Sequence, residues 1–296
     1  MNYESILSRT PIDKGWSGDR KYCAFDAEGK KYLLRISSPD RLERKRREFE
    51  RMKEAEGLGI PMCLPLAFGT CPEGVYSIQS WIDGEDAEPL VMAMEPQEQY
   101  RYGLEAGRIL AKLHTLAAPL DAPDWETRFN AKIDRKIAMY EGCELKYENG
   151  GAFLDYIAGN RHLLKGRKQS YQHGDYHIGN MMIDRKGVLT IIDFDRDDFG
   201  DPWEEFNRIV WCAQAAPAFA SGMVDGYFDG EVPMEFWKLL ALYICSNTLS
   251  SLPWAVPFGE KEIRVMKHQA AQVLHWYDGM QRVVPGWYQN APFHEE

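Results

Sequence analysis

The sequence predicts an α+β protein of two lobes, a small antiparallel β lobe with one helix and a larger, mainly helical lobe. Segments of strand character separated by short turns are concentrated in the first 83 residues. Segments with apolar residues at helical spacing fill most of the remainder. The length of 296 residues exceeds the usual size of one domain. We therefore expect lobes at residues 1–83 and 84–296.

The β lobe is predicted to begin with a hairpin. Two strand-like segments, Tyr22–Phe25 and Lys31–Ile36, flank the turn DAEG, which ends at Gly29. Side chains alternate along the second strand, so Arg35 is expected on the face opposite Tyr32.

One helix is predicted after this hairpin. Ser38 can cap it, and Gly57 and Gly59 can end it. Glu48 lies at the edge of its narrow apolar stripe, where it could turn inward. The seven basic residues between positions 41 and 53 are interleaved with three Glu, so we interpret them as a solvated helix face rather than a nucleic-acid surface.

A second hairpin around CPEG ends in VYSIQSWI, and DGED then suits a connector. Helical spacing follows in Gln97–Leu116. Further helices are predicted at about residues 125–140, 153–164, 206–214, 234–249 and 261–280.

Composition excludes several classes of function. The net charge of −10 argues against a nucleic-acid partner and favours cationic ligands through the long-range field. No uninterrupted apolar run approaches the roughly 20 residues that span a bilayer, so we expect no membrane partner. The N-terminus lacks a basic and apolar leader, and the six Cys form no CxxC pair, so we expect reduced thiols in a cytoplasmic protein.

The segment HGDYHIGN places Asp175 and Asn180 five residues apart, and Asp193 follows in IDFD. Between them, MMI and VLTII flank DRKG and predict a short hairpin, which would bring Asn180 and Asp193 to the same end. An amide oxygen and a carboxylate are hard ligands that suit Mg²⁺. One Asp that positions a hydroxyl, with two oxygen ligands for a metal, supplies the parts that phosphoryl transfer needs.

Three motifs in order carry a family resemblance. HGDYHIGN with IDFD, GLEAGRILAKLHTL and GDPWEEF together resemble the aminoglycoside phosphotransferase family and the related choline and ethanolamine kinases. The resemblance covers nearly the whole chain and implies a protein-kinase-like fold. Glu205 stands where the family usually has Asp.

The resemblance implies roles by position. Asp175 would be the catalytic base, Asn180 and Asp193 the Mg²⁺ ligands, and His173 and His177 supports of the loop. Residues 1–83 would bind ATP or GTP, and residues 84–296 would carry catalysis and bind the acceptor. Further nucleotide contacts would come from Glu48, as the partner of the cation on the third strand, and from the hinge residues Gln79, Trp81 and Ile82.

Two positions depart from the family pattern. Arg35 stands where the phosphate-binding Lys is common, and we expect it to contact the nucleotide phosphates and to pair with Glu48. Lys14 or Lys21 could supply that charge instead. The segment KGWSGDRKY has few glycines for a phosphate loop, so Ser17 is expected to contact the phosphates.

Seven acids between Asp193 and Glu205 face a single Arg196. Asp201 and Glu205 are expected to cap a helix or accept backbone amides. The remaining acids that could receive a cationic acceptor are Asp197, Asp198 and Glu204.

The sequence therefore predicts a Mg²⁺-dependent kinase of a small hydroxyl compound, first an aminoglycoside antibiotic and hence a role in resistance. A metabolic acceptor such as choline, ethanolamine or a sugar is an alternative with the same chemistry. A nucleotide-binding module without turnover and a metal-dependent phosphoesterase are alternatives of other classes. A protein kinase is disfavoured, because no A-P-E-like segment follows Asp193.

Overall fold

The computed structural model describes residues 1–13 and 18–289. The strands are β1 (Ser8–Pro11), β2 (Arg20–Phe25), β3 (Lys31–Ser37), β4 (Pro65–Cys71), β5 (Gly74–Ser80), β6 (Gly84–Asp86), β7 (Ser170–Gln172), β8 (Met181–Asp184), β9 (Leu189–Ile191) and β10 (Asp198–Gly200). The α-helices are α1 (Leu42–Glu56), α2 (Ala87–Met92), α3 (Pro96–Leu113), α4 (Trp125–Gly142), α5 (Gly151–Asn160), α6 (Ile209–Ala215), α7 (Pro217–Phe228), α8 (Met234–Ala255) and α9 (Glu260–Trp276).

The chain divides into two compact units. The first contains residues 1–87 together with 180–197, and the second contains residues 88–179 and the described residues from 198 on. A single boundary near residue 83 was expected from the sequence. The structure instead groups the hairpin that follows the HGDYHIGN segment with the first unit.

The first unit contains a five-stranded antiparallel sheet in the order β1-β2-β3-β5-β4. Both predicted hairpins are present, with Ala24 opposite Tyr32 in the first of them. One face of the sheet is apolar because side chains alternate along each strand. Its buried core consists of Ala24, Tyr32, Leu34, Ile36, Tyr76 and Ile78.

Helix α1 packs on this sheet with a narrow apolar stripe. Met52 and Ala55 are buried, and so are two charged residues, Lys45 and Glu48. Ser38 occupies the N-cap position of a 3₁₀ turn at Pro39–Arg41 that leads directly into the helix, but its hydroxyl bonds the Asp40 carboxylate and not a backbone amide.

A second, three-stranded sheet of the first unit has the order β6-β8-β9. The predicted hairpin around DRKG is confirmed as β8 and β9, with Met181 opposite Ile191. Strand β6 extends it on the other side, and a Cβ at Gly84 would overlap the carbonyl oxygen of Ile183. Only glycine therefore allows this approach of the two backbones.

The second unit is mainly helical. The helices predicted at 97–116, 125–140 and 234–249 are confirmed as α3, α4 and α8 with shifted ends. Helix α7 was not predicted. Its two glycines, Gly222 and Gly226, lower its helix propensity. They pack closely against Gly103 and Gly107 of α3. A Cβ on any of these four glycines would overlap a carbonyl oxygen of the other helix.

Helix α8 forms the centre of this unit. The stretch Met234–Phe258 has the length and apolar character of a membrane span, and an 18-residue window within it has a mean hydropathy of 1.3, which was not predicted from the sequence. Within the unit, 67% of that apolar window is buried. The helix packs against α4, α5 and α9, as a core helix does.

Candidate active site

The residues expected to bind metal lie at one end of the β8–β9 hairpin. Asn180 precedes β8, and the amide of Ile192 donates to the Asn180 carbonyl oxygen at 3.1 Å. Asp193 follows immediately, with a left-handed φ of 67°, a conformation that Asp adopts more readily than most residues. The hairpin register therefore brings Asn180 and Asp193 to the same end, as the sequence predicted.

Arg35 joins this end of the hairpin to β3. Its Nη1 lies 2.7 Å from Asp193 Oδ1, and its Nη2 lies 2.8 Å from Asp195 Oδ2 and 3.2 Å from Asp19 Oδ2. Its side chain is only 3% exposed. Burial lowers the pKa of the Arg35 guanidinium, but the attraction of the three carboxylates outweighs it and raises that pKa above its usual value.

The predicted pairing of Arg35 with Glu48 is wrong. Glu48 Oε2 lies 2.9 Å from the Nζ of Lys45, one turn earlier on α1. Lys45 Nζ also lies 2.8 Å from Asp19 Oδ2. Lys45 is therefore a buried member of this network and not part of a solvated helix face. The spacing of three residues between Lys45 and Glu48 on α1 is the sequence feature that indicates this ion pair.

The pKa values of the two acids that contact Lys45 shift in opposite directions, although burial raises both. It raises the pKa of Glu48, and the attraction of Lys45 does not reverse this. Burial also opposes the charge of Asp19, but bonds from Lys45 and Ser37 and the charge of Arg35 outweigh it and lower the Asp19 pKa. Asp19 thus stays a carboxylate between two cations.

The predicted hinge residues follow β5 or lie on it. Gln79 is buried, and its amide donates to the Met52 sulfur at 3.6 Å. Trp81 and Ile82 are partly buried in the connector that follows. Ser17, expected at the phosphate loop, and Lys14 lie outside the described residues.

The loop after β7 carries Asp175 in the second unit. The amide of Asp175 donates to His173 Nδ1 at 3.3 Å, and the amide of Gly179 donates to His177 Nδ1 at 3.1 Å. His177 Nε2 lies 3.9 Å from Asp175 Oδ1. Both His side chains thus contact the loop backbone, in the way expected of supporting residues.

Glu205 holds the same loop through hydrogen bonds from its backbone amides. Its buried carboxylate accepts the amide of Gly174 at 3.0 Å and that of Tyr176 at 3.3 Å. Burial raises the pKa of Glu205 to about 7, although these amide bonds oppose the shift. The prediction that Asp201 and Glu205 accept backbone amides is confirmed, since Asp201 Oδ1 accepts the amide of Trp203 at 2.9 Å.

Arg208 is a site residue that the sequence reasoning missed. Its Nε lies 3.2 Å from Asp175 Oδ1, and the two side chains are 26% and 18% exposed. Arg208 closes the 3₁₀ turn Glu204–Arg208, three residues after Glu205. Its position three residues after Glu205 of GDPWEEF is the sequence feature from which it could have been predicted. Arg208 thus places a positive charge beside the Asp175 carboxylate.

The three acids expected to receive a cationic acceptor are each paired within the chain. Arg51 Nη1 lies 2.6 Å from Asp197 Oδ2, and Lys132 Nζ lies 3.0 Å from Glu204 Oε1. Asp198 pairs with Arg128. Burial opposes ionisation of Glu204, but Lys132 and Lys136 outweigh it and lower the Glu204 pKa. The charge of these acids is already balanced.

The antiparallel sheet with one helix in the first unit and the mainly helical second unit define a protein-kinase-like fold. A family model described as "Phosphotransferase enzyme family" matches residues 8–237. The chain therefore belongs to this phosphotransferase family. A comparison with curated proteins gave no significant match.

Solved structures share the fold at low sequence identity. A thermostable mutant of aminoglycoside phosphotransferase APH(4)-Ia is 15% identical, with a TM-score of 0.65 over 92% of this chain and 96% of the other. A choline/ethanolamine kinase family protein from Mesorhizobium loti is 16% identical, with a TM-score of 0.64 over 93% and 91%. The amicoumacin kinase hAmiN is 13% identical, with a TM-score of 0.63 over 97% and 91%.

Proposed function

We propose that this protein transfers the γ-phosphoryl group of ATP or GTP to a hydroxyl group of a small molecule. The observation that carries the proposal is the loop of Asp175. Glu205 fixes its backbone, and Arg208 forms an ion pair with the Asp175 carboxylate. A fixed carboxylate aligns the acceptor hydroxyl and accepts its proton, and alignment supplies much of the rate in phosphoryl transfer.

Asn180 and Asp193 would hold Mg²⁺. The fit rests on the donor set, since both present hard oxygens at the same hairpin end. In residues 1–13 and 18–289, no cluster of three or more His, Cys, Asp or Glu forms a complete metal site. Such a sparse set suits Mg²⁺, which usually takes one or two carboxylates together with substrate phosphates. When bound, the ion neutralises phosphate charge.

The first unit would bind the nucleotide through the hinge, Gln79, Trp81 and Ile82, and through Ser17. For Arg35, the contacts favour a positioning role: its guanidinium fixes Asp193 and Asp195 and is shared among three carboxylates. Glu48 acts through Lys45, which the same network holds in place. Complexes of hAmiN with AMP-PNP, and of an APH(4)-Ia mutant with ADP and hygromycin B, support a nucleotide co-substrate by analogy of fold.

The acceptor is a small hydroxyl compound. Aminoglycosides are one candidate, supported by the relatives that bind hygromycin B, and choline-type alcohols are another, supported by the choline/ethanolamine kinase relative. The pairing of Asp197, Asp198 and Glu204 removes the feature that favoured a cation.

The test measures phosphate transfer from ATP and from GTP with Mg²⁺, with detection of the phosphorylated acceptor by mass spectrometry. The panel contains aminoglycosides, choline, ethanolamine, sugars and sugar acids. The variant Asp175→Asn removes the base with little change of shape, and Asp155→Asn, an exposed acid on α5, is its control. We expect the Asp175 variant to lose about a hundredfold or more of the rate.

Full acceptor phosphorylation in Asp175→Asn would overturn the assignment of Asp175 as the catalytic base. Nucleotide binding with no product from any acceptor would favour the binding-module alternative. Release of inorganic phosphate from phosphate esters without an acceptor would favour the phosphoesterase alternative.

A further inference from the structure

Three basic side chains lie near one another in the second unit, and one of them, Arg208, contacts Asp175. Lys132 and Lys136 lie one turn apart on α4, and Arg208 lies on the 3₁₀ turn after Glu204. Two of them have acids of their own, since Arg208 pairs with Asp175 and Lys132 pairs with Glu204. The cluster was not apparent in the sequence, because its members come from different segments.

Lys136 differs from the other two. Its ammonium group lies 3.4 Å from the amide oxygen of Asn247 on α8, and no carboxylate of the described residues lies within ion-pair distance of it. Lys132 and Arg208 repel its charge, and Glu204 attracts it. Burial, and next the charge of Lys132, lower the pKa of Lys136 to about 7.

A partly buried ammonium group with like charges around it is destabilising unless something answers its charge. Contact with Asn247 does not require a cation, since the neutral amine form of Lys136 can donate the same hydrogen bond. An anion bound beside Lys136 would balance the charge, and Lys132 and Arg208 would add to the attraction.

We propose that the acceptor carries an oxyanion, a carboxylate or a phosphate, close to the hydroxyl that is phosphorylated, and that Lys136 binds this oxyanion. The inference rests on the phosphotransferase function proposed above and defines its substrate class. It replaces the cationic acceptor that the net charge of −10 favoured. The charge of the whole chain acts at long range, whereas the groups around Asp175 act at contact distance.

The position of Arg208 connects this site to the chemistry. Its guanidinium contacts Asp175 and lies within electrostatic range of Lys136. Arg208 thus links Lys136 to the Asp175 carboxylate, and we expect the oxyanion and the phosphorylated hydroxyl to belong to one small acceptor. Arg208 also shields the acceptor anion from the negative charge of Asp175.

Binding of matched ligand pairs to the whole protein tests the inference. The pairs are gluconate with glucose, and glycerol 3-phosphate with glycerol, so that each pair differs by one oxyanion; choline and an aminoglycoside represent cations. Calorimetry measures affinity for the wild type, Lys136→Met, Lys136→Arg and the control Lys238→Met, which removes an exposed Lys from α8.

We expect at least one oxyanion ligand to bind more tightly than its neutral partner. Lys136→Met should weaken that binding tenfold or more, Lys136→Arg should retain most of it, and Lys238→Met should not change it. Equal affinity within both pairs, preference for the cations, or unchanged binding in a folded Lys136→Met protein would each overturn the inference.

Turnover separates this inference from the proposed function. Oxyanion binding that depends on Lys136, without phosphorylation of any acceptor, would support the oxyanion site and contradict the proposed kinase activity. Asp175-dependent phosphorylation of a neutral or cationic acceptor, unchanged in Lys136→Met, would support the proposed kinase activity and contradict the oxyanion site.

Discussion

Arg35 Nη1 lies 2.7 Å from the Asp193 carboxylate, which ties the third strand of the first unit to the end of the β8–β9 hairpin. The same guanidinium contacts Asp195 and the buried Asp19. One cation therefore contacts three carboxylates, and Asp19 has Lys45 as a second cation.

Replacement of Arg35 by Met should destabilise the protein by about 3 kcal/mol or more, because Asp193 and Asp195 lose this cation and the buried Asp19 loses one of its two close cations. Arg35→Lys should cost less, since the charge remains, but one ammonium group cannot reproduce the planar set of donors. Denaturant-induced unfolding, followed by fluorescence and circular dichroism, measures both changes.

The control for Arg35 is Arg20→Met, which breaks an exposed ion pair with Glu73. Exposed pairs contribute about 1 kcal/mol or less. If Arg35→Met were no more harmful than Arg20→Met, the network would not hold the hairpin end.

Glu205 should give the stability of the second unit a distinct dependence on pH. Its pKa is about 7 in the folded protein, against 4.5 as the ordinary value. Between these values the folded state keeps a proton that the unfolded state has lost, so this contribution to stability is present below about pH 4.5 and is lost as pH rises through about 7.

The variant Glu205→Gln removes that titration and keeps an acceptor oxygen for the loop amides. We expect its unfolding free energy to fall less than that of the wild type as pH rises from about 4.5 to 7, by at most roughly 3 kcal/mol. Glu231→Gln, at an exposed position, is the control. Parallel pH profiles for the wild type and Glu205→Gln would contradict the assignment.

The contact of α3 with α7 should tolerate no added methyl group. A Cβ at Gly107 would overlap the carbonyl oxygen of Met223, so Gly107→Ala must separate the helices. Overpacking of this kind costs about 1–3 kcal/mol or more. Gly159→Ala on α5 is the matched control, because nothing lies within 4 Å of its added Cβ and Ala favours a helix.

Thermal unfolding compares the two glycine variants directly. Gly107→Ala should lower the Tm, whereas Gly159→Ala should leave it unchanged or raise it. Similar Tm values for both variants would show that the helices separate without loss of stability.

The β8–β9 hairpin could be predicted because its information is local. A turn between two short apolar strands fixes the register, and the register places Asn180 and Asp193 together. The amide contacts of Glu205 were also predicted, from a helix-start motif. The partners of charged side chains were not, since Lys45 and Arg208 reach acids that the fold brings to them. Helix α7 was missed because its glycines serve the packing against α3 and weaken the local signal.

The protonation of Lys136 should control oxyanion binding. The charged groups that face it are Lys132, Glu204 and Arg208, and its pKa is about 7. Gluconate stays ionised between about pH 6 and pH 9, so its own titration does not contribute. Only the protonated form of Lys136 attracts the anion, so affinity should be constant below about pH 7 and should fall by up to about tenfold per pH unit above it. Calorimetry in two buffers of different ionisation enthalpy should detect proton uptake at about pH 8. Lys136→Arg keeps its charge throughout this range and should abolish both the decline and the proton uptake. An identical decline in Lys136→Arg would assign the titration to another group and remove Lys136 from the binding site.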